Sequence, residues 1–152
     1  MAEPANVLER LRATARDLVS LTSGASRAQM ERRPSPRDWS AAMVVAHLAD
    51  AELVYGQRIK QVLIEDRPHF AAYDENAWVE RFSRVEEDLK DTLARWRANR
   101  EHTVRLLESL EDGEWRRVGI HPARGEMTMR QLAALLAEHD RQHLDQLRRC
   151  VS

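Results

Sequence analysis

The sequence predicts an all-α fold, a four-helix bundle, and three observations carry that expectation. Four segments repeat apolar residues with the 3.6-residue period of a helix, each bounded by capping or breaking residues. Glycine and proline number only five each in 152 residues, while Ala, Leu, Arg and Glu dominate, a helix-favouring mixture. No intervening stretch alternates long enough for a sheet, which leaves WRRVGI at 115–120 as a short β-excursion. The length suits one domain over residues 1–152 with a single core.

The first segment runs from about Ala5 to Leu21, with Leu8, Leu11, Ala15 and Leu18 on one face. Pro34 and Pro36 in RRPSPRDW break the pattern that follows it. Ser40 is a good N-cap for the second segment, which continues to Ile64 on the stripe Val44, Leu48, Ala51, Tyr55, Ile59 and Val62. AAYDENAW reads as a short helix or turn within a connection from Glu65 to Phe82. That connection is long enough to cross the bundle's end, so a crossover topology is at least as good as simple up-and-down.

Ser83 and Glu86 have capping-box spacing and open the third segment, with Val85, Leu89, Leu93, Trp96, Thr103, Leu107 and Leu110 as its buried line. EDG at 111–113 ends it on a glycine. After a long connection, Thr128 and Gln131 form a second capping box, and the fourth segment runs to about Cys150.

Charge excludes some classes of partner. Lys plus Arg is 24 against 25 for Asp plus Glu, so no net field draws the chain toward polyanions, and nucleic acid is not expected. No apolar run approaches the roughly 20 residues of a membrane span, and MAEPANVLERL lacks the features of a signal peptide. A cytoplasmic, bacterial-type protein is expected. The one cysteine, Cys150, excludes an internal disulfide and reads as a small residue at a helix end.

The histidines carry the chemistry. Leu132, Leu136, His139, His143 and Leu147 step by four, three, four and four, so both histidines occupy the core stripe. His47, three residues after Val44 and four before Ala51, also faces inward. A buried imidazole without a partner costs about 1–3 kcal/mol. One divalent ion would satisfy three imidazoles at once, as in an open zinc-type site, and nickel, cobalt or iron would accept the same nitrogens. An i, i+4 pair can equally be a hydrogen-bonded or solvated feature, so that alternative stays open. His102 in NREH reads as surface, and His69 shares no face with the trio. His121, in the loop GIHPARGEMT, could lie over a pocket mouth.

Asp50, Glu138, Asp140 and Gln146 are placed to orient metal-bound imidazoles, although solvated helix surface is the blander role for each. Trp96 belongs to a core line, whereas Trp39, Trp78 and Trp115 flank helix ends as packing caps or pocket walls.

Together, PSPRDWSAAMVVAHLADAE at 34–52 and MTMRQLAALLAEHDRQHLDQLRR at 127–149 resemble the DinB-like superfamily of bacterial metalloproteins. The W-S…H-L and H-x-x-x-H-x-x-Q patterns are specific in combination. The resemblance implies a four-helix bundle with a crossover, often a homodimer, and a zinc or nickel site formed by His47, His139 and His143. Characterised relatives include S-transferases and isomerases that use a low-molecular-weight thiol. The implied function is therefore metal-dependent transfer of a thiol to a small electrophile. The thiol sulfur, or in a hydrolase a water, would take the open metal position. A non-catalytic, stress-related metal or small-molecule binder and a plain dimerisation module are the rival classes. Trp39, Tyr73, Asp74, Trp78 and His121 are the pocket candidates, on loop position and family likeness.

Overall fold

The structure, a computed structural model, describes residues 3–83, 85 and 88–152. Its elements in order are α1 (Pro4–Ser23), α2 (Arg27–Glu31), α3 (Ala41–Ile64), α4 (Glu75–Phe82), α5 (Leu89–Glu108), α6 (Asp112–Trp115), β1 (Val118–His121), β2 (Gly125–Thr128) and α7 (Met129–Val151). The four long helices form the bundle. Helices α1 and α3 each pack against both α5 and α7, so chain neighbours α1 and α3 lie across a diagonal.

Side-chain partners give the directions. Arg10 meets Glu138 and Thr14 meets Asp140, so α1 and α7 run parallel. Asp50 meets Arg95 and Glu52 meets Arg100, so α3 and α5 are also parallel. Cys150 reaches Trp39 while His139 lies beside Tyr55, which sets α7 antiparallel to α3. Two parallel neighbours joined in sequence need a connection that travels back along the bundle. The described residues between α3 and α5 do this, and the expected crossover is present.

Helix starts follow their caps. The Ser40 side chain accepts from Met43 N–H, and Thr128 with Gln131 forms the expected capping box. The predicted α3 stripe is buried at every position. The third helix corrects the sequence reading. It starts at Leu89 behind Asp88, and Ser83 instead ends α4, its N–H donating to Val79 O; Glu86 lies outside the described residues. Val85, expected in the buried line, is 59% exposed and precedes the helix. Gly113 ends no long helix: α5 stops at Glu108, and EDG belongs to α6, whose Glu111 and Glu114 form a capping box. The same device, Ser26 with Gln29, starts α2, which the apolar period was too short to signal.

The β-excursion is a hairpin, with Val118 opposite Thr128 and His121 opposite Gly125. The chain beyond α3 docks on it through Ile120 N–H to Pro68 O at 2.7 Å and Phe70 N–H to Ile120 O at 2.9 Å. Gly119 permits that docking, because a Cβ there would lie 2.3 Å from the Phe70 ring. Arg117 ties the hairpin to the end of α3 by donating to Val62 O and Glu65 O.

At mid-bundle one buried cation joins all four long helices. Arg100 of α5 donates to Leu11 O of α1, to Glu52 of α3 at 2.6 Å and to Asp140 of α7 at 2.7 Å. The two carboxylates hold its guanidinium above the ordinary value against the opposing effect of burial.

Candidate metal centre

The caps of α3 and α7 set the rotational phase of each helix, and the phase puts the three histidines inside. Because the helices are antiparallel, His47 meets the one-turn pair His139 and His143 across their interface. His47 Nε2 lies 2.9 Å from His139 Nε2 and 3.0 Å from His143 Nε2. His47 is completely buried. Burial first, then the His143 and His139 charges, lowers its pKa to about 2. Burial and the His143 charge lower that of His139 to about 4, against the pull of Asp140. Both imidazoles are neutral at pH 7, the form in which a ring nitrogen can ligate a metal.

The outer nitrogens show which way the lone pairs point. His143 Nδ1–H donates to Gln146 Oε1 at 2.8 Å, which leaves Nε2 with its lone pair facing the cluster. Tyr73 Oη lies 3.4 Å from His47 Nδ1, and His139 Nδ1 is buried without a partner. At most one proton can be shared among three converging nitrogens, so hydrogen bonding cannot satisfy the group. A cation can. Bonds of about 2.0–2.1 Å at angles between a right angle and the tetrahedral value put ligand nitrogens roughly 2.9–3.4 Å apart, which includes the observed spacings.

A fourth group belongs to this cluster, and sequence reasoning missed it. Glu75 Oε2 lies 3.6 Å from His47 Nε2, and one ligand atom from each of His47, Glu75, His139 and His143 falls within 4.8 Å of the others. Glu75 is on α4, which the crossover carries over the face between α3 and α7. The available signal is the acidic segment YDEN, in which the neighbouring Asp74 is the pocket candidate. Asp74 instead caps α4, accepting from Ala77 N–H, and is exposed.

The other pocket candidates separate by position. Trp39 stacks on His143 at 6.0 Å between ring centroids, Tyr73 stacks on His47 at 6.4 Å, and Trp78 meets Tyr73 edge-on. His121 stays outside the cluster, its Nδ1 accepting from Ala123 and Arg124 N–H to hold the hairpin turn. Trp96 and Trp115 are core residues, and His69 and His102 are exposed. Of the expected orienting groups only Gln146 reaches a histidine. Asp140 pairs with Arg100, Asp50 with Arg95, and Glu138 with Arg10 and Arg141.

The DinB superfamily profile matches residues 10–147, and the chain belongs to that family. It is 31% identical over 140 residues to "Putative metal-dependent hydrolase GK0616" of Geobacillus kaustophilus, a match covering 86% of this chain and 74% of the relative. It is 31% identical over 107 residues to "Putative metal-dependent hydrolase YfiT" of Bacillus subtilis, covering 70% of this chain and 60% of the relative. Among solved structures, YfiT from Bacillus subtilis is described as "a probable metal-dependent hydrolase with an unusual four-helix bundle topology". It superposes with a TM-score of 0.90 at 23% identity, over 99% of this chain and 87% of that one. This likeness establishes the fold. No described helix is long and apolar enough to cross a membrane.

Proposed function

We propose that the chain is a metal-dependent enzyme acting on a small molecule, with one zinc or nickel ion held by Nε2 of His47, His139 and His143. The observation that carries this reading is the convergence of three imidazole ring nitrogens beside a half-exposed carboxylate. A divalent ion bound there would act as a Lewis acid, bringing the pKa of a thiol or a water toward neutrality. Glu75 is placed on the approach side to take the proton released by the nucleophile. Gln146 holds the His143 ring in its tautomer. Trp39, Tyr73 and Trp78 form an aromatic wall that can stack a substrate and keep bulk water away.

The leading reading of the nucleophile is a low-molecular-weight thiol, on family likeness. The sulfur–carbon bond forms as the electrophile's leaving group departs with its electron pair, and the thiol proton passes to Glu75. Hydrolysis is the second reading, favoured by the names of the relatives and by a carboxylate suited to serve as general base for water. A homodimer in the cytoplasm belongs to the same proposal through family likeness.

Metal analysis of the purified chain is expected to give about one divalent ion per chain. Turnover is then screened with several cellular thiols and an aryl halide, and with an ester and amide panel lacking thiol. Glu75→Gln is expected to keep the metal and lower kcat roughly 10²-fold or more, the scale of a lost general base. Absence of metal from wild type, or metal content unaltered by His139→Ala with His143→Ala, would overturn the reading.

A further inference from the structure

Arg58 lies eleven residues after His47 on α3, about three turns along the same face. Only 6% of it is exposed, yet its guanidinium has no carboxylate within ion-pair reach among the described residues. Of its five N–H donors, Nη2 alone is bonded among the described residues, to Ala71 O at 3.1 Å. It lies 5.7 Å from the centre of the Tyr55 ring and 5.3 Å from that of Phe70. Tyr55 in turn flanks His139, with 5.8 Å between ring centroids.

The contrast with Arg100 is informative. That buried guanidinium is matched by two carboxylates, whereas Arg58 is buried against two aromatic rings. Burying an unmatched charge is unfavourable unless something supplies the counter-charge. We infer that Arg58 receives a carboxylate or phosphate at the far end of the substrate whose reacting end lies at the three histidines. This rests on the proposed metal site. Arginine side chains lean toward the N-terminus of their helix, here toward His47. Eleven residues rise about 16 Å, so after that lean the substrate spans on the order of 10 Å between its reacting atom and its anionic group.

The test uses cobalt(II)-loaded full-length protein and two thiols of equal length, 6-mercaptohexanoate and 6-mercaptohexan-1-ol, titrated by sulfur-to-cobalt absorption. Arg58→Gln is expected to weaken the carboxylated thiol about tenfold and the neutral one less than twofold, with Arg58→Lys recovering part of the difference. An equal change for both thiols, or none for either, overturns the anion receptor and leaves the metal site standing. Failure of wild type to bind cobalt sinks the metal site instead. Calorimetric titration of the same two thiols against the metal-free protein then decides Arg58 by the same criterion.

Discussion

His47 and His139 link proton chemistry to folding. Both are held neutral, with folded pKa values of about 2 and about 4 against an ordinary 6.5. Below pH 6.5 the unfolded chain takes up protons that the native site refuses, so metal-free protein loses stability as the pH falls. The His139 contribution stops growing near pH 4, and that of His47 continues toward pH 2. Each group contributes a slope of up to about 1.4 kcal/mol per pH unit. Urea unfolding of the metal-free protein between pH 7.5 and 5 should show this slope, and a His47→Gln, His139→Gln variant should flatten it. Arg100 is the opposite case, a buried charge that is fully matched. Arg100→Met strands Glu52 and Asp140 and is expected to cost about 3–5 kcal/mol in urea unfolding. The sequence reading passed over Arg100, which lies in the polar run NREH although it falls four residues after Trp96 and three before Thr103. Its partners were not legible, because nothing local says which helices face one another.

Among the elements, helices with a strong apolar period and a side-chain cap were legible, and α3 and α7 begin where Ser40 and Thr128 place them. The start of α5 was not. Asp88 makes no side-chain cap bond, so the nearest good capping pattern drew the boundary too early. The hairpin was half legible: WRRVGI suggested one strand, while its docking on Pro68 and Phe70 is a tertiary contact. That docking supplies a test of the crossover's anchor. Gly119→Ala drives a methyl group into the buried Phe70 ring and should cost about 1–3 kcal/mol. Loosening the strand should also raise hydrogen exchange at the Phe70 and Ile120 amides, whose bonds join the two segments.

At the scale of the whole molecule, the three histidines could be nominated from helical period alone, because period fixes the face of each residue. Glu75 could not, since its place depends on a path through space. If the trio holds a metal, added zinc or nickel stabilises the native state alone, by about 2.7 kcal/mol at a hundred times Kd. Thermal melts should show that gain in wild type and lose it in His139→Ala with His143→Ala. A melt indifferent to metal in wild type would contradict the site. The parallel pairing of α3 and α5 has one more consequence. It obliges a long segment to pass over the histidines, and among its described residues only Pro68, Phe70 and Val79 are buried. Glu75, Tyr73 and, behind that tyrosine, Trp78 all belong to that lightly committed stretch. The bundle thus works as a fixed socket and the crossover as an exchangeable faceplate, whose chemistry can be rewritten while the nitrogens beneath stay in place.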